Sequence, residues 1–223
     1  VLPDEALLTP LFVKTSPPSV TAFSGMDVLV HALEAYVATA ANNFTDALAQ
    51  QAIELVFEYL PKCHKPTATE QDRMSMHEAS CLAGLSFNKA GLGIVHAMAH
   101  QLGGQFHVPH GLANSMLLPY VIGFNCSRNQ EVAKKYAHLS AKLGFASHKA
   151  SDGDKLGALL EAIVKLQRTL ECPMTLTEFG VDKATSEAKL NLMADRALED
   201  MCYRFNPYPA NHDDLIGLYK KVL

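Results

Sequence analysis

Hydrophobic positions recur at three- and four-residue spacing over most of the 223-residue chain, which is the period of helices that bury one face. Val28, Leu29, Ala32, Leu33, Tyr36 and Val37 form the first stripe, behind Pro17 and Pro18, which suit a helix start because neither needs an amide partner there. Asn43-Phe44-Thr45-Asp46 reads as a break supplied with capping side chains. A second stripe follows at Leu48, Ala52, Leu55, Val56 and Tyr59, and Pro61 is expected to end it. Met74, His77, Cys81, Leu82 and Leu85 outline a third helix after the loop at Pro66. Gly91-Leu92-Gly93 introduces or bends a fourth segment, Pro109-His110-Gly111 marks a turn, and Leu112, Ser115, Met116 and Leu118 lead towards Pro119. Amphipathic runs then occupy 131–143, 154–171, 185–201 and 212–222. The one stretch of strand character is short, near Phe12-Val13, and neither repeats nor low-complexity tracts occur. The pattern predicts an all-α assembly of roughly eight to ten helices.

Charge alters this picture through its absence. From Ala90 to Ser127, 38 consecutive residues carry no Asp, Glu, Lys or Arg, yet four of the ten histidines lie there: His96, His100, His107 and His110. Gln101, Gln105, Asn114, Pro109 and Pro119 interrupt the apolar residues, so no span of about 20 of them is available to cross a membrane. The net charge of −4 gives no reason to expect nucleic acid or an anionic membrane as partner. Five cysteines (Cys63, Cys81, Cys126, Cys172, Cys202), odd in number and without a Cys-x-x-Cys pair, suit reduced thiols in a cytoplasmic protein. The opening Val-Leu-Pro-Asp-Glu lacks the basic and apolar regions of a secretion signal.

Two helical pairs carry candidate chemistry. Asp27 and His31 are four residues apart on the first helix, and His96 and His100 repeat that spacing on another; such pairs project from one face. His110 follows at a helix start, where its imidazole can turn back into the core. Asp and His without thiolate suit iron or zinc rather than copper(I) or an iron–sulfur cluster. Either pair alone is more often a local contact or a hydrogen-bonded core histidine than a metal site; together they point more strongly to a metal. Ala97 follows His96 where a zinc protease helix needs Glu, and neither a nucleophile elbow nor a P-loop is present. Glu34 reads as an acceptor behind a ligating imidazole or as a helix-face charge. His107 reads as pocket lining or a capping residue, and Cys202 as pocket lining or packing. His64, His77, His138, His148 and His212 have no partner at metal spacing.

Three segments share a likeness. Ser24-Gly-Met-Asp-Val-Leu-Val-His-Ala-Leu-Glu-Ala-Tyr36, Ala90-Gly-Leu-Gly-Ile-Val-His-Ala-Met-Ala-His-Gln-Leu-Gly104 and Pro109-His-Gly-Leu-Ala-Asn114 closely resemble the iron-containing (group III) alcohol dehydrogenases. Among these the chain looks most like the aldehyde–alcohol dehydrogenases and the ethanolamine-utilisation alcohol dehydrogenases. The likeness is weaker through Asp200-x-Cys202 and Asn206-Pro207, where family members often continue with Arg and this chain has Tyr208. The resemblance implies that Asp27, His31, His96 and His110 ligate Fe2+, or Zn2+. It further implies that His100, beside metal and nicotinamide, helps to move the alcohol proton, and that Phe87 lies near the nicotinamide. Its fold is the helical domain of the dehydroquinate synthase-like architecture, which follows an α/β dinucleotide-binding domain. No glycine-rich dinucleotide loop occurs here, so residues 1–223 are expected to be the metal-binding domain, with 1–18 an extended lead-in.

The implied activity interconverts a small primary alcohol and an aldehyde with NAD(P), in an enzyme that forms dimers or larger homo-oligomers. The fragment alone is then expected to lack turnover. A metal-free helical scaffold derived from such an enzyme is the alternative, and a metallohydrolase would lack an evident general base.

Overall fold

The computed structural model describes residues 3–223. Eleven α-helices and two 3-10 turns build it, and no strand occurs among the described residues. In order they are α1 (Pro18–Val37), α2 (Asn43–Cys63), α3 (Glu70–Ala90), α4 (Ile94–Phe106), α5 (His110–Arg128), α6 (Gln130–Lys142), α7 (Asp152–Thr169), α8 (Leu176–Phe179), α9 (Lys183–Glu187), α10 (Leu190–Glu199) and α11 (His212–Tyr219). The 3-10 turns are Leu11–Val13 and Tyr203–Phe205.

The first helix is the axis of the molecule. Its predicted stripe is buried, but so are Met26, Val30 and Ala35, because α2, α3 and α5 surround it. Local chemistry sets the boundaries. Asn42, one residue before the expected break, caps α2 in a reciprocal box with Thr45, and Thr69 with Asp72 does the same for α3.

Several expectations change. Phe12-Val13 is a 3-10 turn rather than a strand, because Pro10 starts a turn that the Val13 amide closes onto the Pro10 carbonyl at 3.3 Å. Of the proposed lead-in, residues 1 and 2 lie outside the described residues. Pro61 does not stop α2, which closes about half a turn later when the His64 amide reaches the Leu60 carbonyl. The run 185–201 splits: the Lys189 amide bonds Ser186 three residues back, tightening the chain between α9 and α10.

Pro119 also lies inside a helix, α5, and there the compensation is specific. A proline cannot donate to the carbonyl four residues before it, here Ser115. Gln167 of α7 supplies the missing donor: its Nε2 reaches the Ser115 carbonyl at 2.6 Å and Ser115 Oγ at 3.0 Å. Replacing Gln167 by Met keeps the volume and leaves that buried carbonyl without its partner. The expected loss is about 1 kcal/mol, the low end for an orphaned acceptor, because the buried Gln167 Oε1 is itself unpartnered. Urea denaturation of both proteins measures it, and unchanged stability would contradict the role given to Gln167.

Candidate metal centre

Three helices meet at the polar cluster. α1 brings Asp27, His31 and Glu34, α4 brings His96 and His100, and α5 opens on His110. The approach of α5 depends on Gly111, where a Cβ would stand 2.0 Å from the Phe23 carbonyl oxygen and 3.1 Å from Asp27 Cβ. Any larger residue would push His110 away from α1.

Asp27, His31, His96 and His110 each offer a ligand atom, and these atoms all lie within 4.8 Å of one another. Asp27 Oδ1 is 3.7 Å from His96 Nε2 and 3.5 Å from His110 Nε2, while Oδ2 is 3.8 Å from His31 Nδ1. These separations are long for hydrogen bonds. They are close to the ~3.4 Å between ligands arranged tetrahedrally about 2.1 Å from one ion. Asn114, one turn along α5 from His110, donates to Asp27 Oδ1 at 2.6 Å and lies 3.1 Å from His110 Nε2, steadying both.

The start of α4 is built around Glu34. Gly93 is the N-cap and has no side chain to satisfy the first amides. Glu34 Oε1 accepts from the Val95 amide at 2.7 Å, and Asn206 Oδ1 accepts from Ile94 at 3.3 Å. A Cβ on Gly93 would come within 2.7 Å of that Glu34 oxygen. The second oxygen of Glu34 pairs with His96 Nδ1 at 2.6 Å. Proton placement follows from this pairing: Nδ1–H donates, so the lone pair sits on Nε2, which is buried and without a hydrogen-bond partner. Glu34 therefore acts on His96, across helices, rather than on His31 beside it.

Burial dominates the protonation of this cluster. It lowers His96 to about 3, and lowers His31 to about 4 with further depression from neighbouring His96. Both imidazoles are held neutral, the form that binds metals. Burial also raises Glu34 to about 7, against the opposing pull of the amides of Val95, Gly93 and His96.

His100 stands apart from this quartet. Its ring stacks on His110 with centroids 5.3 Å apart, and its Nδ1 is 2.7 Å from Asp200 Oδ2. The other oxygen of Asp200 accepts from the Cys202 amide at 2.8 Å. Burial works upward on Asp200, but the Cys202 amide and His100 more than offset it and hold the carboxyl below its ordinary range. Phe87, from α3, stacks on His31 at 4.6 Å, and His31 stacks on His96 at the same distance. His107 is the exposed, left-handed C-cap of α4. His64, His77, His138, His148 and His212 join neither of the two groups with metal-binding spacing among the described residues. Asn114 and Asp200 stood within recognisable segments but had no assigned role, and Asn206 was noted only for its Asn-Pro step.

The model of the Fe-containing alcohol dehydrogenase family, C-terminal, matches residues 21–223. The chain belongs to the iron-containing alcohol dehydrogenases. The 1-propanol dehydrogenase PduQ of Salmonella typhimurium is 44% identical over 99% of this chain and 60% of its own length. The probable alcohol dehydrogenase EutG of the same organism is 38% identical over 98% of this chain and 52% of its own. The iron-containing alcohol dehydrogenase of Thermococcus thioreducens superposes with a TM-score of 0.88 at 37% identity, covering 99% of this chain and 55% of that one. The chain thus spans between half and two thirds of the length of these alcohol dehydrogenases, and the part it matches is their C-terminal helical domain.

The protonation pattern fixes how acid acts on the metal-free domain. As pH falls below about 6.5, unfolded His31 and His96 take up protons that the folded ones refuse, so the fold loses stability down to pH 4 and below. Glu34 works in the opposite sense between about 7 and 4.5, since its folded form binds the proton more readily. Two imidazoles outweigh one carboxyl, so the urea midpoint of metal-free protein is expected to fall between pH 6.5 and 4.5. His96→Gln removes one imidazole and flattens that dependence; a slope unchanged by the substitution would contradict a buried, neutral His96.

Proposed function

We propose that residues 1–223 form the metal-binding, substrate-side domain of an NAD(P)-dependent alcohol dehydrogenase, with Asp27, His31, His96 and His110 holding one divalent ion. Residues 1–18 lead in from the cofactor domain, and the full-length enzyme assembles as a homodimer or larger. The observation that carries the reading is the buried, unpartnered Nε2 of His96 facing a carboxylate and two further imidazoles. A lone pair left unsatisfied in a buried site is costly, and a cation removes that cost. The donor set, three imidazoles and one carboxylate without a thiolate, fits Fe2+ and also accepts Zn2+.

When bound, the metal supplies a Lewis acid that makes an alcohol oxygen easier to deprotonate, and the nicotinamide supplies the hydride acceptor. The chain's own residues do the rest. Glu34 fixes the ring of His96 and keeps its lone pair on Nε2, while Asn114 holds Asp27 and His110 at their spacing. His100 donates its Nδ1 proton to Asp200 and so presents a basic Nε2. Its side chain is 39% exposed, so a proton collected from the substrate hydroxyl passes outward to water. Phe87, stacked on His31, offers a flat apolar wall on which a nicotinamide ring can lie. A small primary alcohol or its aldehyde is the substrate class, in keeping with the 1-propanol dehydrogenase among the relatives.

Protein purified without oxygen should carry near-stoichiometric iron or zinc by elemental analysis, and Asp27→Ala or His110→Ala should lose it. A wild-type chain free of metal under those conditions would favour the helical scaffold instead. The isolated 223 residues are expected to show no NAD-dependent oxidation of ethanol or 1-propanol. Robust turnover would overturn the assignment of cofactor binding to a separate domain.

A further inference from the structure

A second group of donors lies beside the first. His100, Asp200 and Cys202 each present one ligand atom, and those three atoms lie within 4.8 Å of one another. We propose that this triad is a separate, inhibitory site for a soft divalent cation, zinc or cadmium, distinct from the quartet around Asp27.

The chemistry of the donors separates the two sites. The quartet has no sulfur, whereas the triad combines imidazole, carboxylate and thiol, the set that selects zinc and its heavier congener over iron(II). His100 Nδ1 and Asp200 Oδ2 are joined at 2.7 Å by the proton that His100 donates. A cation in place of that proton needs the two atoms to part by less than about 1 Å, to the spacing of tetrahedral ligands. His100 is exposed enough to make that move, and its open edge gives an ion entry from solvent. Asp200 is already turned towards the Cys202 turn by the amide bond at 2.8 Å.

The thiol is silent until a cation arrives. Burial, reinforced by the Asp200 carboxylate, pushes Cys202 up to about 12, so it is neither a ready nucleophile nor an easily oxidised thiolate. A soft cation ionises a coordinating thiol outright, and the displaced proton goes to solvent. No oxidant or second reactant is needed.

The consequence for activity rests on the proposed function, but binding does not. An ion on His100 occupies the imidazole assigned to the proton path, so the second site inhibits while the first stays loaded.

Cadmium(II) is the probe, because its thiolate complexes show an ultraviolet charge-transfer band that imidazole and carboxylate complexes lack. In the Asp27→Ala chain, where the quartet is broken, one equivalent of cadmium should bind and give the band. Adding Cys202→Ser should abolish the band and weaken binding at least about tenfold, since even an outer partner of a ligand is worth that much. Asp200→Asn, with every thiol intact, should also weaken binding, and zinc should displace the cadmium. A band that survives Cys202→Ser, and so reports another cysteine, would overturn the proposal, as would no band at all. Iron uptake by the wild-type chain tests the quartet separately, so failure of one reading is distinguishable from failure of the other.

Discussion

Glu34 is the group on which the rest of this domain turns. A carboxylate taken fully out of water is unfavourable by several kcal/mol unless hydrogen bonds replace its hydration. Here the replacements come from the first amides of α4 and from His96. The same contact therefore caps a helix that has no cap of its own, anchors that helix to the central α1, and sets the tautomer of a buried imidazole. Fold and site share one hydrogen-bonded carboxylate. This explains why a negatively charged side chain is tolerated among the apolar residues of α1: the open amides at a helix start favour negative charge there.

The remaining supports follow the same logic of rigid elements holding polar atoms. Each of the four residues around Asp27 sits on a helix of the packed core, and the gaps between helices are set by residues without side chains at Gly93 and Gly111. Asn206 ties the C-terminal turn to this arrangement, accepting from Ile94 and exchanging bonds with Asn125 at 3.1 and 2.8 Å. A site on such a frame keeps its spacing without loops that must order on binding.

The sequence exposed the candidates Asp27, His31, His96, His100 and His110 because they come as pairs one helical turn apart or, for His110, behind Pro109 at a helix start, while the choice of four of them as proposed ligands rests on the family resemblance. What it hid were partners whose meaning arises only from packing. Glu34 looked like a neighbour of His31, one turn away, yet it serves His96 on another helix. Asp200 is 100 residues from His100, a separation that no periodicity reveals. The helix count was nearly legible, but the short α8 and α9 carry no full turn-to-turn stripe. Pro61 reads as a stop because a proline's local effect is to break a helix, and Pro119 marks only the point towards which the stripe of α5 leads. A late position in the helix and a distant glutamine, respectively, allowed the helices to continue.

That last pairing bears on how such a domain can drift over generations. Pro119 and Gln167 complete each other: the proline leaves a carbonyl open and the glutamine fills it. Replace the proline alone, and the restored helical amide competes with an amide side chain already sealed in the core. Replace the glutamine alone, and the carbonyl is stranded. Neither position changes freely by single steps, so the two should be inherited as a unit, linking residues 48 apart in the chain by a constraint that concerns neither metal nor substrate.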